Sequence, residues 1–112
     1  MKIAFTSTGP DWDSIIDARF GRTGFIVMYN DEDHDFRVID NRAVADVTHG
    51  AGTATAQKIY ELKPDVLITG NGLGETASNA LKHLEMKVFV EAHNLTLRQA
   101  YEQFKKNRLK QV

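Results

Sequence analysis

The chain has no cysteine. That excludes disulfide frameworks, thiolate zinc sites and cysteine-ligated iron–sulfur clusters, so any metal here must be held by other groups. It has no surplus of either charge. Its 14 Lys and Arg against 15 Asp and Glu give a formal net charge of −1, too little to gather a polyanion such as duplex nucleic acid. It also has no apolar stretch near the roughly 18 residues of a spanning helix. Met1-Lys2-Ile3-Ala4-Phe5 lacks the charged head and long apolar run of a leader. We therefore expect a cytoplasmic address, with no nucleic acid and no membrane as partner. Internal repeats and low-complexity segments are missing too. A length of 112 residues suits a single domain, residues 1–112, with one hydrophobic core.

What is present alternates between short apolar runs and amphipathic segments. Lys2 to Ser7 reads as a strand, punctuated by Gly9-Pro10. An irregular loop from Asp11 to Thr23 carries Trp12, three acids and Arg19-Phe20-Gly21-Arg22. Gly24 to Tyr29 is apolar enough for a strand buried on both faces. Asn30 to Asp35 is a polar hairpin turn into Phe36-Arg37-Val38-Ile39-Asp40, whose charges suit an exposed edge. The acidic turn lacks the glycine and distal glutamate of an EF-hand. A second loop runs from Asn41 to His49.

Ala51 to Leu62 has helical spacing and ends at Lys63-Pro64. Asp65 to Thr69 is a strand, and Gly70-Asn71-Gly72-Leu73-Gly74 leads to a helix with Ala77, Ala80, Leu81 and Leu84 on one stripe. Lys87 to Val90 is the last expected strand. Thr96 and Gln99 form a capping box for a helix whose stripe is Leu97, Ala100, Tyr101 and Phe104. The basic run Lys105 to Lys110 reads as a solvated helix end.

The order β-β-β-α-β-α-β-α describes a mixed α/β sandwich. With an antiparallel meander first and right-handed crossovers after it, strand two alone runs against the others. The loops after strands one, three, four and five then share one edge of the sheet with the start of strand two. Open α/β sheets bind ligands at such an edge.

Thr48-His49-Gly50-Ala51-Gly52-Thr53 stands at that edge. Glycine permits close backbone approach, and the first N–H groups of a helix lack intrahelical acceptors, so the stretch is a natural anion cradle. Arg19 and Arg22 would supply charge, Gly50, Gly52, Gly70 and Gly72 would expose backbone, and His49 would donate or ligate. His93 falls at the same edge, so His49 and His93 with an aspartate are a candidate metal set. His34 in the turn and His83 on a helix read as solvated.

Other chemistries fit less well. A two-metal nuclease needs a carboxylate on the first strand, and Lys2 to Ser7 has none. The second glycine loop matches neither the Rossmann nor the Walker pattern. Two alternatives stay open: an enzyme or sensor for a small anionic metabolite using His49, and an interaction module using the final helix and its lysines.

The landmarks taken together resemble the nitrogenase iron-molybdenum cofactor biosynthesis accessory proteins, the NifX type and its small single-domain relatives. The matching pieces are Met1-Lys2-Ile3-Ala4, Asp13-Ser14, Arg19-Phe20-Gly21-Arg22, Asp40-Asn41 and His49-Gly50-Ala51-Gly52. Pro64 to Gly70, Lys87 to Val90 and Thr96-Leu97-Arg98-Gln99-Ala100 complete the series. Where the family pattern has histidine before Phe-Gly-Arg, this chain has Arg19, a fixed positive charge.

The resemblance implies a three-layer α/β/α sandwich, ribonuclease H-like, with a five-stranded mixed sheet of order 3-2-1-4-5. It also implies non-enzymatic binding or carriage of an iron–sulfur or iron–molybdenum cluster precursor. Such a carrier would be a monomer or weak homodimer working between a cluster donor and an acceptor protein.

Overall fold

Alternating side chains of the first strand divide the molecule. Ile3 and Phe5 face one side of the sheet and Ala4 the other, and all three are fully buried. A strand covered on both faces must lie inside a layered structure. The computed structural model describes all residues 1–112.

The strands are β1 (Lys2–Ser7), β2 (Phe25–Asn30), β3 (Asp35–Asp40), β4 (Val66–Ile68), β5 (Lys87–Val90) and β6 (Lys110–Gln111). The helices are α1 (Arg42–Ala45), α2 (Ala51–Leu62), α3 (Glu75–Leu81) and α4 (Leu97–Lys105). The sheet order is β3-β2-β1-β4-β5-β6. β2 runs antiparallel to β1 and β3, while β1, β4 and β5 are parallel. β3 is an edge, as its charged pattern predicts.

There are two apolar clusters, not the single core expected, because each sheet face has its own helical layer. Ile3, Phe5, Val27, Val66 and Ile68 meet Leu97 and Ala100 of α4. Ala4, Ile26, Met28 and Leu67 meet Ala56 and Ile59 of α2 and Ala77 and Leu81 of α3. Burial stabilises by about 1.5–3 kcal/mol for each Val, Leu, Ile, Phe or Met among them, and by less for the alanines.

Local chemistry sets the helix ends. Gly50, with φ +84°, starts α2, and Lys63, with φ +49°, ends it immediately before Pro64. The capping box at α4 forms as expected: Gln99 N–H donates to Thr96 Oγ1 at 3.0 Å, and Thr96 N–H donates to Gln99 Oε1 at 2.9 Å.

Three expectations are corrected. The sheet has six strands, not five, because Asn107 at φ +57° turns the chain back and Lys110 and Gln111 pair with Val90 and Phe89. Two exposed polar residues carry no period that would reveal a strand. The loop after Asn41 contains α1, a single turn with no buried residue and hence no amphipathic signature. α3 stops at Leu81, leaving Ala80 exposed and Leu84 reaching the apolar cluster from the following turn.

At the junction of β3 and α1, Asp40 accepts hydrogen bonds from the Arg42 side chain, the shortest being 2.7 Å, and from the Arg42 N–H. The side-chain bonds first, then the backbone bond, hold its carboxyl down at about 2 against an ordinary 3.8. A lowered carboxylate stabilises the fold above its unfolded value and loses that contribution as pH falls. NMR titration is expected to place the Asp40 midpoint near 2, and Arg42→Ala is expected to return it toward 3.8, so that the window between these values is where this junction loosens in the native protein.

Candidate functional site

Ser7 pairs with Phe25 and Phe25 with Asp40, so the end of β1, the start of β2 and the end of β3 lie at one rim. The parallel strands β4 and β5 end there too. Beneath the rim, buried polar side chains tie the strand ends to the loops. Thr6 Oγ1 donates to the Asp17 carbonyl at 3.0 Å, so the 2.8 Å bond between Thr6 and Thr69 is donated by Thr69. Asp17 is buried, and its carboxylate accepts the N–H groups of Arg19 at 3.0 Å and Gly24 at 3.2 Å.

Asn41, fully buried after β3, donates from Nδ2 to the Thr23 carbonyl and to Thr55 Oγ1, each at 3.0 Å. Its Oδ1 accepts from Lys58 Nζ at 2.7 Å. Thr55 Oγ1 in turn donates to the Gly21 carbonyl at 2.7 Å. No buried side-chain nitrogen or oxygen lacks a partner, which makes this a network that fixes its members rather than one that strains them.

The network docks three loops on one another. Gly70 N–H donates to the Asp17 carbonyl at 3.3 Å and Asn71 N–H to the Ala18 carbonyl at 2.8 Å. A Cβ on Gly70 would sit 2.5 Å from Ala18 Cα, and one on Gly21 would sit 2.9 Å from Gly52 Cα. Both glycines are therefore contact points of backbone on backbone. The loop after β5 joins the same assembly, since Glu91 N–H donates to the Gly70 carbonyl at 2.7 Å.

Among the residues expected at the site, Arg22 and His49 are neighbours. Arg22 donates to the carbonyls of Ala45 at 2.8 Å, Val47 at 2.7 Å and Thr48 at 3.3 Å. It thus clamps the chain just ahead of His49 instead of bridging to Asp13 or Asp17, and Asp13 pairs with Arg98 at 3.4 Å. Arg19 lies on the outer surface, 62% exposed, with Nε 3.5 Å from Asp17 Oδ1.

Gly50 caps α2 without any side-chain acceptor, and the first intrahelical bond runs from Ala54 N–H to the Gly50 carbonyl. The N–H groups of Ala51, Gly52 and Thr53 have no acceptor within the chain, and no acid sits in the first turn. Gly50 and Gly72 are exposed, and Gly52 is open on the side where a Cβ would stand while its N and Cα lie against Gly21. The helix dipole adds partial positive charge at this end.

His49 and His93 are exposed in the loops after β3 and β5. No group of three His, Asp or Glu side chains comes close enough to hold a metal ion, so no aspartate joins these two histidines. His34 and His83 are exposed, and His34 Nδ1 lies 2.9 Å from the Tyr29 hydroxyl. The four surface concavities are lined by residues away from His49, Gly50, Gly52, Gly70 and Gly72. The rim is an open face, not a closed cavity. Thr6, Thr69, Thr23, Thr55 and Lys58 are not singled out by the sequence; the first three are polar residues at or beside the ends of apolar strands, and Thr55 and Lys58 lie within α2 with no such signal.

The family model for "Dinitrogenase iron-molybdenum cofactor" matches residues 1–107. The chain belongs to this family of nitrogenase cofactor accessory and carrier proteins. The apo form of the orange protein from Desulfovibrio gigas is 33% identical over 99% of this chain and 92% of its own, with a TM-score of 0.90. An NMR structure of a Thermotoga protein of the DUF35 family, provisionally assigned as NifB, is 30% identical over 97% and 90% of the two chains, with a TM-score of 0.80. No curated protein matches the chain. No helix is long and apolar enough to cross a membrane.

Gly70→Ala is expected to lose about 1–3 kcal/mol in urea unfolding, the range for forced overpacking. Gly72→Ala, which meets nothing, should stay within about 0.5 kcal/mol of the parent. Arg22→Met should cost about 1.5 kcal/mol, the lower end for charge-assisted bonds because the site is partly wet. Hydrogen exchange would then quicken across residues 42–50, and Arg22→Lys would restore only part, since a single ammonium lacks the two planar nitrogens that reach these carbonyls.

Proposed function

We propose that this protein binds and carries an iron–sulfur or molybdenum-containing cofactor precursor, or a related anionic metal–sulfur ligand, without chemical turnover. The observation that carries this reading is the bare start of α2. There, three partnerless N–H groups stand beside open glycine backbone, with the exposed Arg19 on the loop docked against them. Sulfide and oxo groups of such a cargo accept hydrogen bonds, so the absence of cysteine directs binding toward N–H and guanidinium donors. Charge-assisted bonds of about 1.5–3 kcal/mol each would hold it in roughly the micromolar range after association costs.

His49, on the segment that Arg22 clamps, would add a donor or a ligand, and His93 a second imidazole. Gly70 places the loop that presents Gly72. An exposed, shallow site suits a cargo passed from a donor protein to an acceptor. The similarity to a protein known as orange and solved in an apo form supports uptake of a coloured group. We place residues 1–112 in one domain of ribonuclease H-like topology, acting as a monomer or weak homodimer. Catalysis by His49 has less support, because no other side chain orients its ring by a hydrogen bond.

Incubation with ferrous iron, sulfide and molybdate under anaerobic conditions, followed by desalting, should leave visible absorption and metal on the protein. Arg19→Ala combined with His49→Ala should lower retention about tenfold, the effect of roughly 1.4 kcal/mol, with thermal unfolding unchanged. Retention equal to the parent, or none by the parent, would contradict the site.

A further inference from the structure

At the end of the sheet opposite the rim, β4 and β5 begin beneath the far end of α4. Val66 pairs with Lys87, and Phe89 pairs with Gln111. These residues floor a groove of about 400 Å³, roofed by Phe104, Lys105, Asn107 and Leu109. The volume falls within the roughly 300–1,000 Å³ of small-molecule sites.

The floor and roof are apolar where they meet. Phe89 and Phe104 stand edge to face with centroids 5.2 Å apart, and both remain half-buried. Leu109 is half-buried beside them because Asn107, at φ +57°, turns the chain back over the groove. A surface concavity whose aromatic lining stays partly wet gains from an apolar occupant.

The charge of the lining is one-sided. No Asp or Glu borders the groove, while Lys87 and Lys105 do. Lys105 lies 4.0 Å from Asp31, but Lys87 rises from the floor with no acidic partner. The amide side chains of Asn107 and Gln111 add donors to the lining. A cation of this kind beside an apolar floor selects an amphipathic anion over a neutral or cationic one.

We infer that this groove binds a small amphipathic carboxylate, its hydrocarbon body lying on Phe89, Phe104 and Leu109 and its carboxylate meeting the Lys87 ammonium. The site is separate from the rim and does not depend on the carriage of a cluster.

Sodium decanoate, kept below its micelle concentration, is the probe. A titration followed by amide NMR should saturate, with shifts centred on Lys87, Phe89, Phe104 and Leu109. Decanol and decyltrimethylammonium should bind more weakly, and Lys87→Glu should weaken decanoate about tenfold. Lys87→Gln should fall between the parent and Lys87→Glu, with thermal unfolding of both variants unchanged. Shifts centred elsewhere, no saturation, equal binding of decanol, or unchanged affinity in Lys87→Glu would each overturn the proposal.

Discussion

The architecture depends on a demand placed on buried polar groups. Strands β1 and β4 are sealed on both faces, yet they end in Thr6, Ser7 and Thr69, whose hydroxyls are out of reach of water. Each must be satisfied inside the protein, or the fold would lose about 1–3 kcal/mol per orphaned group. The loops satisfy them. Thr6 donates to the Asp17 carbonyl and accepts from Thr69, Ser7 donates to the Gly9 carbonyl, and the Thr23 hydroxyl accepts the Ser7 N–H, so the backbone segments carrying Gly9, Asp17 and Thr23 are fixed in place. Hydrogen bonding at the strand ends acts together with Ile16 and Phe20, which anchor the first loop in the two apolar clusters.

One consequence concerns the helix that starts at Ala51. Thr55 holds Gly21 and Arg22 holds residues 45–48, so the approach to α2 is braced from two sides. The first turn of α2 rests on Gly21 through Gly52 but has no side-chain cap. A serine or aspartate cap would satisfy its leading N–H groups, and Gly50 provides none. A rigid surround with donors that lack acceptors at its centre is preorganised for an anion, since little ordering remains to be done when one arrives.

Much of this was legible in the residues. The 3.6-residue spacing from Ala51 to Leu62, the Thr96 and Gln99 box, and the apolar runs of β1 and β2 each carry a local signal that the tertiary structure reinforces. The shared rim followed from topology alone. β6 and α1 were not legible, because a two-residue strand and a single exposed turn have no period to read. Arg22 shows a different limit. Its charge was evident and suggested an anion, but its partners are main-chain carbonyls brought near by α1, which the sequence pattern does not reveal. Asn41 was visible as a landmark, while its link through Thr55 to Gly21 required the packing of α2 on the loop.

The central claim is that the leading N–H groups of α2 hold the anionic cargo. Amide hydrogen exchange of the protein before and after anaerobic loading with iron, sulfide and molybdate tests it most directly. The account predicts slowed exchange at Ala51, Gly52 and Thr53, with the interior of β4 unchanged. Metal bound to the protein with exchange at those three amides unaltered would contradict it.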